Sequence, residues 1–208
     1  MSGKFISVEG GEGSGKSTLL SRLKKLFEEK NISVIFSFEP GGTELGKEIR
    51  ESLIKNRSFF SPRAEALLYA AARAQHMDEL IIPSLKEGKN VIVDRFVDAS
   101  LAYQGVARKL GMKRIRELNE WAMKGIYPDR TYLLDIDPKI GLSRAKSRQN
   151  LDRIEREALS FHQEIRQAYL SLSKMHPQRY VLIDASQKPD EVFGLVQKDL
   201  LGYLSAHE

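Results

Sequence analysis

Residues 10–18 read Gly-Gly-Glu-Gly-Ser-Gly-Lys-Ser-Thr and follow the apolar run Phe5-Ile6-Ser7-Val8. A glycine, four residues, then Gly-Lys-Ser is the phosphate-loop pattern. It constrains the fold because a strand must deliver the chain into the loop and a helix must leave it. The glycines let backbone N–H groups turn inward around an anion, and the helix N-terminus adds its positive end. Thr18-Leu19-Leu20-Ser21-Arg22-Leu23 opens that helix. In such a loop Lys16 reaches the β- and γ-phosphates and Ser17 offers its hydroxyl to Mg²⁺. Gly10, Gly11, Glu12, Gly13, Ser14, Gly15 and Thr18 complete the cradle. The motif specifies a nucleoside triphosphate and leaves the fate of its γ-phosphate open.

The rest of the chain repeats the strand–helix alternation. Short apolar runs at 5–8, 32–36, 91–93, 132–136 and 180–183 do not alternate with polar residues, as befits strands buried on both faces. Helical patterns fill 17–29, 43–56, 62–86, 99–109, 113–124, 138–148, 154–175 and 189–204. Ser61-Pro62, Asp137-Pro138 and Lys188-Pro189 are helix starts, and Gly88 is a helix stop. The expectation is an α/β protein with a parallel sheet, right-handed crossovers and helices on both faces. A length of 208 residues suits one sizeable domain. The polar interruption at 147–153 suits a mobile lid between two helices.

Composition excludes some chemistry. With no cysteine there is no disulfide, no Cys-ligated zinc and no cysteine nucleophile. No segment approaches the ~18 uninterrupted apolar residues of a membrane span. The first strand begins by about residue 4, which leaves no room for a signal peptide, so the cytoplasm is the expected location. A net charge of +5 fits a nucleic-acid binder and equally an enzyme that handles two polyanions.

Further constellations fall at strand ends. Asp94-Arg95 follows Asn90-Val91-Ile92-Val93, at the edge where parallel sheets bind ligands. A carboxylate there can hold Mg²⁺, and the arginine can grip a phosphate bidentately. Glu39-Pro40-Gly41-Gly42-Thr43 is a turn after the second strand. Tyr69 and Arg73 stand four residues apart on one helical face, where a ring can stack on a base and a guanidinium can donate to base carbonyls. Alone, that pair equally suits a core tyrosine beside a surface arginine. Arg144, Lys146, Arg148 and Arg153 gather in and beside the polar interruption, which suits either a solvated face or cations for phosphoryl transfer.

Taken in order, the phosphate loop, Glu39-Pro-Gly-Gly-Thr43, Ala71-Ala-Arg-Ala-Gln-His76, Asp94-Arg-Phe96 with Tyr103-Gln-Gly105, and Leu151-Asp-Arg-Ile-Glu155 resemble the thymidylate kinase family. The resemblance spans residues 6–186. It implies the P-loop nucleoside monophosphate kinase fold, a five-stranded parallel sheet with helices on both faces and a short lid at about 144–156, all within a single domain 1–208. It implies transfer of the γ-phosphate of MgATP to dTMP, giving dTDP, by a homodimer with no specific nucleic-acid or membrane partner. Carried over by position, Lys16 and the loop amides hold ATP, and Ser17 and Asp94 serve Mg²⁺. Glu12 hydrogen-bonds the acceptor's 3′-hydroxyl, and Arg95 binds the acceptor phosphate. Tyr69 stacks the thymine and Arg73 donates to its O4. Glu39, Pro40, Ser100 and Gln104 lie near the acceptor, and Tyr103 crowds the sugar 2′ position. Arg148 and Arg153 descend with the lid, and Arg144 and Ala185 lie on the ATP side. A loop without an internal basic residue, paired with lid arginines, resembles the bacterial subtype.

Some points stay open. Phe38 precedes Glu39 where the family usually has arginine, and Arg50 or Arg95 are candidates to compensate. Asp184-Ala185-Ser186 suits either a backbone that reads the adenine edge or a simple helix-entry turn. The rival acceptor is dUMP. A rival class is a P-loop switch or nucleic-acid-dependent ATPase, although the Asn-Lys-x-Asp guanine-reading segment is missing and the aromatics are not interleaved with basic residues.

Overall fold

The five apolar runs pair into one sheet in a computed structural model that describes residues 3–55, 60–146 and 153–205. The strands are β1 (Phe5–Gly10), β2 (Val34–Phe38), β3 (Asn90–Asp94), β4 (Arg130–Asp135) and β5 (Tyr180–Asp184). Their order is β2-β3-β1-β4-β5, with every neighbouring pair parallel. The register sets Asp94 beside both Val8 and Phe38, so β1, β2 and β3 end at one edge. The chain leaves β1 toward β2 on one side and reaches β4 on the other. The crevice above β1 is therefore the switch point at which such sheets bind ligands.

Alternation along β1 sends Ile6 and Val8 to one face and Phe5, Ser7 and Glu9 to the other. The first face forms a core with Leu19 and Leu23 of α1 (Lys16–Glu29) and Val196 and Leu200 of α9 (Pro189–Ser205). On the second face, Phe5, Val91 and Leu133 pack with Met77, Phe96, Ile165 and Tyr169. That layer contains α3 (Pro62–His76), α4 (Ile82–Lys86), α5 (Val97–Ser100), α6 (Met112–Ala122) and α8 (Leu159–Met175). The remaining helices are α2 (Glu44–Lys55), which packs on α3, and α7 (Pro138–Lys146), which packs on α8. Ser61 caps α3 by accepting from Ala64 N–H at 3.3 Å, with Pro62 behind it.

Three expectations change in detail. The helix expected over 62–86 is continuous but widens into a π-helical turn at Met77–Ile81. Pro83 sits just beyond it, with no N–H to give and a ring that would crowd the carbonyl four residues back. The helix expected over 99–109 starts earlier, at Val97, and widens at Leu101–Ala107. The helix expected from 154 starts at Leu159, because Ala158 is extended (φ −61°, ψ 152°) and ends the preceding turn. Residues 147–152, the middle of the expected lid with Arg148, lie outside the described residues, as does the expected helix end at 56. Among the described residues no helix is long and apolar enough to cross a membrane.

Candidate active site

The phosphate loop leaves β1 and enters α1 through residues whose backbone few side chains tolerate. Gly13 (φ 68°) and Gly15 (φ 91°) are left-handed. A Cβ on Gly13 would lie 1.9 Å from the Gly141 carbonyl oxygen, and one on Gly141 would lie 2.2 Å from that of Glu12. The loop is thus wedged against α7, and both contact positions require glycine. Gly15 caps α1 without a side chain, so the first amides of the helix have no side-chain acceptor. Lys16 is 8% exposed and folds back over the loop. Its Nζ donates to the carbonyls of Gly10 (2.9 Å) and Gly11 (3.1 Å) and to Ser14 Oγ (3.3 Å). Burial, and then the Arg95 charge, push its pKa down to about 8.

Arg95 faces this loop from the end of β3. It has a left-handed backbone (φ 66°), with its N–H donating to Val8 O at 3.0 Å. The guanidinium donates to Gly10 O (3.1 Å), Tyr103 Oη (3.0 Å) and Glu12 Oε1 (2.6 Å). Tyr103 also donates to Glu12 Oε1 at 2.8 Å. Burial alone would raise the Glu12 carboxyl, but Arg95 and then Lys16 outweigh it and hold the pKa at about 2. Burial works against the Arg95 charge, and Tyr103 and Glu12 reverse it and raise its pKa. Burial lifts the Tyr103 phenol well above its ordinary value, so it is a neutral donor. Next to Arg95, Asp94 Oδ1 is buried with no hydrogen-bond partner.

The turn after β2 supplies the opposite wall. Glu39 Oε2 accepts from Arg73 Nε (2.8 Å) and faces Nη2 at 2.6 Å. Its Oε1 lies 3.0 Å from His76 Nδ1. A carboxylate only accepts, so Nδ1 carries the proton there, and in the neutral ring Nε2 accepts from Ser37 Oγ at 2.7 Å. Arg73 Nη1 donates to Ser100 Oγ (2.9 Å) and to Asn119 Oδ1. Two turns before Arg73 on α3, the buried Glu65 gathers Gln104 Nε2 (2.9 Å), Arg108 and Arg153. Burial raises the pKa of Tyr69, between them, to about 12. Phe38 rests on Gly41, and the Arg50 guanidinium stacks 5.5 Å from its ring centre while donating to Pro40 O at 3.0 Å.

These walls enclose a cleft of about 540 Å³. Of the residues expected from sequence, it is lined by Glu12, Gly13, Ser14, Gly15, Lys16, Ser17 and Thr18 on the loop side. Asp94 and Arg95 form the floor, and Glu39, Pro40, Tyr69, Arg73, Ser100, Tyr103 and Gln104 form the far wall. Arg144 and Ala185 meet each other outside it, with Arg144 Nη1 donating to Ala185 O at 2.9 Å. Arg153 reaches the cleft's outer wall rather than the loop, donating to Glu65 and to Leu53 O (3.3 Å). Sequence reasoning missed Glu9, Glu65 and Asn119, and took in His76 only as the end of the Ala71–His76 motif, without a role. An acid inside an otherwise apolar strand was the one available signal for Glu9.

A phosphate loop at the switch point of a 2-3-1-4-5 parallel sheet, facing an arginine-rich second wall, defines a P-loop phosphotransferase of the nucleoside monophosphate kinase type. Comparison with known proteins narrows this. The thymidylate kinase family model matches residues 8–196. A thymidylate kinase of Geobacillus sp. (strain WCH70) is 45% identical over 198 residues, 94% of each chain. That of Protochlamydia amoebophila is 48% identical over 199 residues, covering 91% of this chain and 88% of its relative. The crystal structure of the Ehrlichia chaffeensis thymidylate kinase superposes with a TM-score of 0.77 at 30% identity, covering 96% of this chain and 99% of the other. The chain belongs to the thymidylate kinase family.

Proposed function

We propose that the cleft is the catalytic centre for transfer of the γ-phosphoryl group of ATP to dTMP, giving dTDP and ADP. The observation that carries this reading is the facing of two walls at one sheet edge. The Lys16 loop stands on one side, Tyr69, Arg73 and Gln104 stand opposite, and Arg95 lies on the floor between them. The acceptor is already an anionic phosphate, so the protein needs to position and to compensate charge rather than to remove a proton. No Ser-His-Asp arrangement is required, and cations crowd the gap between the walls.

In this reading the loop amides from Gly10 to Thr18 cradle the triphosphate, and Lys16 leaves the Gly10 and Gly11 carbonyls to meet its β- and γ-oxygens. Arg144 steadies the Ala185-Ser186 turn beside the adenine. Arg95 takes the acceptor phosphate. Glu12, kept charged by Arg95, accepts from the sugar 3′-hydroxyl, and Tyr103 closes the 2′ side. Tyr69 stacks on the pyrimidine, and Arg73, with Ser100 and Gln104, donates to its carbonyl edge beside Glu39 and Pro40. Arg148 and Arg153 move onto the transferring group with a lid at about 144–156, all within one domain spanning 1–208. Where the family has arginine before Glu39, Arg50 on the Phe38 ring supplies the cation.

The donor set fits Mg²⁺. The unsatisfied buried Asp94 Oδ1 and the Ser17 hydroxyl offer two hard oxygens, and Mg²⁺ at phosphates characteristically takes one or two protein oxygens. Bound there it supplies charge neutralisation of the β- and γ-phosphates. The reading also includes a homodimer in the cytoplasm. The exposed Trp121 (84%) on α6 and Leu67 (58%) on α3 support a protein-covered face. Sedimentation of wild type and Trp121→Glu tests that face, and a monomeric wild type would remove it.

The decisive assay is phosphorylation of dTMP, dUMP, dCMP and dGMP side by side with ATP and Mg²⁺. dTMP should be used best, with dUMP second. Preference for a purine acceptor would overturn the assignment of the far wall.

A further inference from the structure

We propose that Glu9 is a positioning residue for Arg95: it holds the left-handed turn that aims the guanidinium between the phosphate loop and the acceptor wall. This inference rests on the role proposed above for Arg95.

Glu9 is fully buried in β1, one residue before the phosphate loop, and does not line the cleft. Its two hydrogen bonds both lead to the Arg95 region. Oε1 accepts the Phe96 N–H at 2.7 Å, and Oε2 accepts from Tyr169 Oη at 2.8 Å. Arg95 is one of the few residues with a Cβ in the left-handed region, a conformation that persists only where the surroundings over-determine it. Two consecutive amides fix it. The Arg95 N–H goes to the Val8 carbonyl, and the Phe96 N–H goes to the Glu9 side chain. The neighbouring strand carbonyl, Gly10 O, is already occupied by Lys16 and Arg95.

The second contact acts on the same target. Tyr169 meets Tyr103 edge to face, with ring centres 6.5 Å apart, and Tyr103 accepts from Arg95 and donates to Glu12. Glu9 therefore governs both the backbone of Arg95 and the ring beside its guanidinium. Burial, and then the nearby Asp98, push the Glu9 carboxyl above its ordinary range. In either protonation state the carboxyl offers an oxygen to the Phe96 N–H. What the site requires of residue 9 is reach and an acceptor atom, not charge.

Two conservative variants separate those properties. Glu9→Gln keeps the reach and an acceptor oxygen and cannot ionise. Glu9→Asp keeps the carboxyl and withdraws it by one methylene. The readouts are steady-state kinetics in dTMP and titration of a non-hydrolysable ATP analogue. Glu9→Gln should stay within about threefold of wild type, while Glu9→Asp lowers kcat/KM for dTMP about 10- to 100-fold, the scale of a 1 Å misplacement. The analogue's Kd should change less than about threefold in both, since the loop itself is untouched. The reverse ranking, a wild-type Glu9→Asp, or a parallel loss of analogue affinity overturns the proposal. So does failure of either variant to fold, which would make Glu9 a residue of the core rather than of the turn. Arg95→Ala runs alongside. If it retains activity, the Arg95 reading fails and this inference with it. If it is inactive while Glu9→Asp matches wild type, only the Glu9 inference fails.

Discussion

Removing the Glu39 carboxylate should destabilise the protein far more than an average substitution. The side chains of Glu39 and Arg73 are 4% and 2% exposed and meet at 2.6 and 2.8 Å. In Glu39→Ala the Arg73 guanidinium stays buried with Ser100, Asn119 and the Phe96 ring, 5.0 Å away, none of which carries charge. Breaking a buried ion pair from one side costs about 3–5 kcal/mol. The His76 Nδ1–H loses its acceptor as well, which adds about 1–3 kcal/mol. The sum is about 4–8 kcal/mol, and at about 2–4 °C per kcal/mol for a chain of this size the melting midpoint should fall by at least about 8 °C. Glu39→Gln keeps a carbonyl acceptor and should lose less than half as much. The double variant Glu39→Leu/Arg73→Leu removes both charges, so its loss should fall short of the summed losses of Glu39→Leu and Arg73→Leu by at least about 2 kcal/mol. Urea unfolding and thermal melts followed by circular dichroism at pH 7 compare wild type with each single variant and the double variant. A Glu39→Ala cost below about 1 kcal/mol, or additive single losses, would refute the claim that this pair holds the far wall of the cleft through mutual charge.

Three further outcomes follow from the loop. Glu12 falls from 4.5 to about 2 on folding, so its ionised form contributes stability that is complete above pH 4.5 and is lost as pH drops toward 2. At 1.36 kcal/mol per unit that is about 3 kcal/mol. Glu12→Gln should flatten the stability curve over that window, and an unchanged slope would count against the Glu12–Arg95 pairing. Lys16 titrates near 8 in the free protein, and a bound triphosphate must raise that value. ATP binding should therefore take up a proton, and affinity should weaken as pH climbs above 8; calorimetry in buffers of different ionisation enthalpy reads this directly, and zero uptake at pH 8.5 would exclude it. Gly13→Ala places a Cβ 1.9 Å from the Gly141 carbonyl at φ 68°, so ATP affinity should fall at least about tenfold. A wild-type Kd by titration would show that α7 can move away.

The sheet was readable because each strand is a short apolar run between polar helices, and the phosphate loop fixed which edge carries ligands. Residues at strand ends were readable for the same reason: Asp94, Arg95 and Glu39 each follow such a run. Tyr69 and Arg73 needed the family motif, since helical spacing alone does not separate a cleft-lining pair from a core-and-surface pair. The widened turns at Met77–Ile81 and Leu101–Ala107 were not readable, because a π-helical turn adds one residue without changing the apolar pattern beyond local noise. The direction of Arg153 was not readable either. Its charge announced a role, but its acceptor, Glu65, lies 88 positions away in sequence.

Glu9, Glu39 and Glu65 share that property. Each is a buried carboxyl whose hydrogen-bonding groups come from distant chain positions, up to 160 residues off in the case of Tyr169 and Glu9. A buried acid costs free energy unless several donors converge on it, so each marks a place where separate elements must meet in one arrangement. Glu9 joins β1 to the start of α5, Glu39 joins the turn after β2 to α3, and Glu65 joins α3 to the widened turn and to the segment after residue 152. The three junctions surround the cleft. The groups they hold are the same ones expected to touch nucleotide: Arg95, Arg73, Gln104 and Arg153. In the proposed reading, Arg95 and Arg73 are thus held in place before any substrate arrives, which lowers the reorganisation needed when charge develops on the transferring phosphoryl group, whereas Arg153 must leave Glu65 to reach it.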